Sequence, residues 1–160
     1  MSTHSARIEW RRDGARFTDN RYSRVHDWSF DGGARIAASS SPHVVRTPFS
    51  DPTLVDPEEA FVASLASCHM LWFLSLAAER GWTVDDYSDD ALGHMGTAAN
   101  GREMVAEVVL RPRVRFAGVA PPPDEFHAAH AEAHDRCFLA NSVKSRITHE
   151  PVIEGDTDHA

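Results

Sequence analysis

The sequence predicts an α+β fold in which antiparallel sheets pack on one long, buried helix. Three observations lead there. Residues 57–80 are mostly Ala, Leu, Phe, Ser, Met and Trp, between a clear helix start and Gly81. Short runs on both sides of that segment alternate polar and apolar residues, as half-buried strands do. A second helical stretch, Ala-rich, follows the later strands. A length of 160 residues suits one domain with a real core, so residues 1–160 are read as a single domain with a short frayed N-terminus and an acidic tail.

The elements follow in order. Residues 7–12 alternate as an edge strand would, and residues 21–30 and 33–39 supply a second and third strand. They meet at Asp31-Gly32-Gly33, and Asp-Gly between alternating runs signals a hairpin. Residues 40–56, rich in Ser, Pro and Asp, read as a long loop leading to the helix. Asp56 can cap that helix, Pro57 fits its first position, and Glu58 and Glu59 suit the positive end of its dipole. Gly81 stops it. At about 1.5 Å per residue the helix is about 35 Å long. It is apolar on most faces, so it needs more cover than one small sheet provides, and a homodimer supplies that cover.

Strand-like pieces occupy residues 82–95, and residues 104–116 read as one strong strand. Ala120-Pro-Pro-Pro is a stiff connector. A second helix is expected over 124–139, with Asp124 and Glu125 in its first turn, and a closing strand over 143–149. The tail beyond Pro151 is read as frayed.

Composition narrows the function. The formal net charge of −8 argues against non-specific nucleic-acid or anionic-membrane binding, which needs a positive surface. The first residues lack the apolar core of a secretory signal. The longest apolar run, Met70 to Ala78, is broken by Ser75 and falls short of a span of about 20 residues. A cytoplasmic protein acting on small molecules or partners is the expectation, with no membrane and no cofactor. In that compartment a stable structural disulfide is not expected, whereas a transient catalytic one is allowed.

The chain holds two cysteines, Cys68 and Cys137, both placed in helix-like segments. Neither belongs to a Cys-x-x-Cys or zinc-finger pattern. From the residue types alone, each thiol fits inert packing as well as reactivity, since a reactive cysteine needs a positive or hydrogen-bonding neighbour. His127, His130, His134 and Cys137 fall at steps of three, four and three, and so share one helix face. No second cluster supplies further ligands at recognisable spacing, and no metal is expected. Arg24 and His26 are placed on one face of the second strand and Arg21 on the other. There is neither a glycine-rich phosphate loop nor a nucleophile elbow.

Two motifs carry a family resemblance. Asp56-Pro-Glu-Glu-Ala-Phe-Val-Ala-Ser-Leu-Ala-Ser-Cys68-His69 resembles the first motif of the OsmC/Ohr family of thiol-dependent hydroperoxide reductases. Ala133-His134-Asp135-Arg136-Cys137-Phe138-Leu139-Ala140-Asn141-Ser142 resembles the second. The order of elements is similar too. The resemblance implies an intertwined α+β homodimer with active sites at the subunit interface. It implies a peroxidatic Cys68, a resolving Cys137, and a Glu58 that orients an arginine. Arg24 is the first choice for that arginine and Arg21 the second.

The arginine would favour the Cys68 thiolate and stabilise charge on the leaving oxygen. Met70, Trp72 and Phe73 are candidates for an apolar pocket selecting organic hydroperoxides, and each is equally a candidate core residue. The implied reductant is a thiol, a small dithiol or a lipoyl protein, and the implied role is oxidative-stress defence. Cys-His-Met-Leu-Trp-Phe is bulkier than the same stretch in organic hydroperoxide reductases, and Phe-Leu follows Cys137 in place of Pro-Tyr. Both departures resemble the broader OsmC-like branch. A non-enzymatic carrier of small apolar ligands on the same fold is the alternative.

Helix geometry sets one constraint. Ten residues separate Glu58 from Cys68 by about 15 Å on a straight helix. They can share a site only if the helix breaks, the arginine bridges them, or a second subunit supplies one of them.

Overall fold

The computed structural model describes residues 1–155. The chain divides into two compact units, Met1–Ala60 and Phe61–Ala160.

The first unit is built on a three-stranded antiparallel sheet, β1 (Ala6–Glu9), β2 (His26–Phe30) and β3 (Arg35–Ala38), in that order. Ile8, Trp28 and Ile36 stand opposite one another across the three strands, an apolar row of the kind that stabilises a sheet face. The β2–β3 hairpin turns where the Asp-Gly signal lies, and Gly33 takes the positive φ of 87° that the turn requires. Residues 21–25 are not strand, contrary to the alternation, so Arg21 and Arg24 lie in the loop before β2. Asn20, at φ 63°, turns the chain there. The Arg24 backbone N–H donates to the Phe49 carbonyl at 2.8 Å.

Helix α1 (Pro57–Glu79) begins where expected, with a reciprocal cap. The Glu59 N–H donates to Asp56 Oδ1 at 2.8 Å, and the Asp56 N–H donates to Glu59 Oε2 at 3.1 Å. Its other end closes as a Schellman turn. The Trp82 N–H reaches the Ala77 carbonyl, the Gly81 N–H reaches the Ala78 carbonyl, and Gly81 sits at φ 76°.

In the second unit, α1 buries one stripe: Leu65, His69, Phe73, Leu76 and Ala77. By length and composition the helix could cross a membrane, which its broken apolar run did not suggest. Its buried stripe instead walls two core clusters. Phe73, Leu76 and Ala77 pack with Val114, Phe116, Phe126, Ala129 and Ala133. Leu65 packs with Val108 and Leu110. The rest of the helix is less covered, and Leu71 is 61% exposed.

The strand expected over 104–116 is two strands in two sheets. β6 (Glu103–Leu110) lies between β5 (Leu92–Thr97) and β8 (Arg146–His149), while β7 (Pro112–Phe116) lies between β4 (Val84–Asp89) and β9 (Val152–Ile153). The break falls at Arg111. Its N–H donates to Asp89 Oδ1 and its Nε to the Asp90 carbonyl, so it leaves the ladder. Each sheet holds one antiparallel and one parallel pair, the parallel partners being the two C-terminal strands. The tail thus does not fray at Pro151, because Val152 and Ile153 pair with Arg113 and Val114; the expectation for residues 156–160 lies outside the described residues. Helix α2 spans Pro123–Arg136 and buries Phe126, Ala129, His130 and Ala133. It is followed by a short 3-10 turn, Ala140–Ser142.

Candidate functional site

The second unit brings its two thiols together. Cys68 is half-buried on α1 and faces an open groove of about 580 Å³. The groove is lined also by Ser64, Ser67, Leu71, Trp72, Ser75, Phe138 and Leu139, with no charged side chain among them. Cys137 is not in α2 as expected. It is the residue after the last helical turn, in extended conformation at ψ 111°, and it is 1% exposed. Cys68 is the neighbouring side chain that acts on its thiol. Burial, and next the neighbouring Cys68, push the Cys137 thiol up, against backbone N–H groups of Ala140 and Leu139 that pull it down. Both cysteines are free thiols. A half-buried thiol open to a groove beside a buried one is an arrangement that can cycle between dithiol and disulfide.

The pocket residues named from the sequence separate. Trp72 lines the groove and packs edge-on against Phe138 at 5.6 Å between ring centroids. Phe73, one position on and about 100° around the helix, turns into the core. It is fully buried and stacks on His130 at 4.0 Å, so it is a core residue. Met70 is half-buried and does not line the groove. Leu71, Phe138 and Leu139 line it and were not singled out. For Leu71 the signal was present, since residues i and i+3 share a helix face and Cys68 stands three positions before it. For Phe138, 70% exposed, no local signal exists.

Arg24 and Glu58 are brought together in the first unit. Both line a cavity of about 470 Å³ with Ile8, Trp10, Phe17, Tyr22 and His26. Among the described residues they form no ion pair. The Arg24 guanidinium donates to the Asn20 carbonyl at 2.8 Å, to Asn20 Oδ1 at 3.1 Å and to the Tyr22 carbonyl, and it lies 3.8 Å from the Tyr22 ring centre. Arg21 lies over the Phe49 ring at 5.9 Å and does not line that cavity.

A histidine cluster in the second unit had no sequence signal beyond the α2 stripe. His69 of α1 follows Cys68 in the chain but turns into the core. Its Nε2 is 2.9 Å from His130 Nδ1, with the two rings nearly coplanar. His149 of β8 lies 5.5 Å from His69 and 6.0 Å from His134, ring to ring. Burial, with neighbouring imidazoles behind it, lowers His69 to about 4 and His130 to about 2, and pushes His149 down as well. His127, the fourth member of the predicted face, is exposed. Among the described residues no group of three His, Cys, Asp or Glu is disposed to hold a metal ion.

Sequence and structure comparisons bear on this geometry. The OsmC-like protein family matches residues 50–151, a span that includes Glu58, Cys68 and Cys137. The chain belongs to the OsmC-like family. A solved OsmC-like protein of unknown function from Vibrio cholerae is 51% identical over 95% of this chain and 100% of its own, with a TM-score of 0.92. An OsmC-like protein from Mycoplasma pneumoniae shares the fold at 14% identity, over 96% of this chain and 99% of its own, with a TM-score of 0.72. An organic hydroperoxide resistance protein from Elizabethkingia anophelis shares it at 14% identity, over 98% of each chain, with a TM-score of 0.66. No curated protein matches the sequence. The α+β fold is that of OsmC-like proteins, and Cys68 and Cys137 each stand in one of the two motifs read from the sequence.

Proposed function

We propose that the chain is a thiol-dependent peroxidase that reduces organic hydroperoxides, with Cys68 as the peroxidatic and Cys137 as the resolving cysteine. The observation that carries this reading is the thiol pair itself: Cys68 opens on an apolar groove, and the buried Cys137 is its neighbour. The fold is shared with proteins named for organic hydroperoxide resistance, which supports a role in peroxide stress.

In the proposed reaction the Cys68 thiolate attacks the hydroperoxide. The O–O bond breaks, Cys68 becomes a sulfenic acid, and the alkoxide takes a proton to leave as the alcohol. The Cys137 thiol then attacks the Cys68 sulfur, forming the disulfide and releasing water. Two equivalents of an external thiol restore the dithiol. The groove lined by Leu71, Trp72, Phe138 and Leu139 favours an organic substituent over bare hydrogen peroxide.

Arg24 and Glu58 take the role of the charge-stabilising pair in this proposal. That role requires Arg24 to exchange its carbonyl partners Asn20 and Tyr22 for the carboxylate of Glu58, which already lines the same cavity. The helix between Glu58 and Cys68 is unbroken. We therefore place the arginine–glutamate pair and the thiols that it serves on different subunits of a homodimer. Cover for exposed Leu71 and Phe138 fits the same assembly.

The test is single-turnover consumption of cumene hydroperoxide by the pre-reduced protein, beside Cys68→Ser and Cys137→Ser. The expected result is consumption lost in Cys68→Ser, with the wild type ending as an intramolecular disulfide. Consumption no faster than in Cys68→Ser would discard the enzyme reading and favour a binding protein on this fold.

A further inference from the structure

The two sulfurs differ in which directions remain open to a second thiol. Cys68 faces the groove, whereas Cys137 is 1% exposed and absent from the groove's lining. The backbone after α2 folds around the Cys137 sulfur. Leu139 adopts helical angles, φ −75° and ψ −38°, and the Asn141 N–H returns to the Cys137 carbonyl at 3.1 Å. This turn aims the Ala140 N–H at Cys137 Sγ at 3.4 Å, with the Leu139 N–H as a second donor. No comparable pair of backbone donors serves Cys68 among the described residues, where the helix commits its amides to its own ladder.

Thiol–disulfide exchange is in-line: the entering sulfur approaches opposite the leaving one. Attack on Cys68 comes from the groove. Attack on Cys137 has to come from the side away from Cys68, which the protein's own packing fills.

We propose that an external thiol reopens the Cys68–Cys137 disulfide by attacking Cys68, and that Cys137 is the leaving sulfur, received by the N–H groups of Leu139 and Ala140. This rests on the thiol pair cycling as a disulfide, as in the function proposed above. The entering thiolate bonds to Cys68 Sγ, the Cys68–Cys137 bond breaks, and its electron pair departs on Cys137. Cys137 takes the proton that the entering thiol released. A second thiol attacks the entering group's sulfur, giving a small disulfide and the Cys68 thiolate. Two thiols are oxidised and one protein disulfide is reduced. An acid quench keeps the freed Cys137 thiol protonated and stops its return, which holds the mixed disulfide on Cys68 for isolation.

The experiment uses wild-type protein whose disulfide is made with diamide, so that it does not depend on peroxide chemistry. Limiting 2-mercaptoethanol is added, the reaction is stopped with acid and N-ethylmaleimide, and the cysteine peptides are weighed. The expected result is a 2-mercaptoethanol adduct on the Cys68 peptide and maleimide on the Cys137 peptide, in excess over the reverse by about tenfold or more. Equal labelling, or an adduct mainly on Cys137, overturns the inference, as does failure of diamide to join the two thiols. A disulfide formed by diamide but not by cumene hydroperoxide overturns the peroxidase reading and still leaves the attacked sulfur to be read.

Discussion

Acidification tests the buried histidines. His69 and His130 are 1% and 0% exposed and share one hydrogen bond between their rings. Unfolded, each has a pKa near 6.5; folded, burial lowers them to about 4 and about 2. A lowered folded pKa means that the unfolded chain binds protons first. The stability held by the neutral pair is therefore complete above pH 6.5 and is lost as pH falls below it, toward the folded values. At pH 5, each unfolded imidazole gains about 2 kcal/mol from protonation that the folded one does not, so the pair costs about 4 kcal/mol. That is between about a quarter and four-fifths of the stability of a domain holding about 5–15 kcal/mol.

His149 titrates in the same direction, with Asp135 opposing it and His127 and His134 reinforcing it. The assay is urea unfolding at pH 7.5, 6.5, 5.5 and 5.0, for wild type and for His69→Leu/His130→Leu. Wild type should lose stability steeply below pH 6.5, and the double variant should lose about 4 kcal/mol less over the same range. Parallel pH profiles for the two proteins would refute the reasoning.

Other expectations follow from the same structure. Asp56→Ala removes the cap on the Glu59 N–H and should cost about 1 kcal/mol in thermal or chemical unfolding; Asp56→Asn should recover most of it. Gly96→Ala sets a methyl group 2.7 Å from Ala106 Cβ, which has no torsion with which to move away. It should destabilise by about 1–3 kcal/mol, and an unchanged melting curve would show that β5 and β6 separate more easily than their register implies. Leu71→Glu charges the exposed apolar face beside Cys68. Sedimentation should show the proposed homodimer in the wild type and a weakened one in the variant, while the circular dichroism of the fold persists; a monomeric wild type or an unaltered dimer would refute this interface.

Local signals in the sequence were legible where a few neighbouring residues settle the conformation. Asp56-Pro-Glu-Glu forms its cap, Gly81 its Schellman turn and Asp31-Gly-Gly its hairpin, because each is decided within one turn of chain. Residues 104–116 misled because alternation continues through Arg111. What divides them is a distant pair of acceptors, Asp89 and Asp90. Residues 21–25 misled for a related reason: Arg24 satisfies its own loop's carbonyls and leaves the extended conformation.

For the candidate site, the two thiol motifs were visible as strings of residues, and so were Met70, Trp72 and Phe73 as a single set of pocket candidates. What each one faces was not, because a period assigns a residue to a face and says nothing of what packs there. The sequence by itself determined the α+β class, the ends of α1 and the identity of the thiols, since capping, hydrophobic period and cysteine count are local properties. Only the tertiary structure decided that Cys137 lies beneath Cys68. It alone joined His69, His130 and His149 from α1, α2 and β8, because contacts between distant segments are chosen by packing over the whole core.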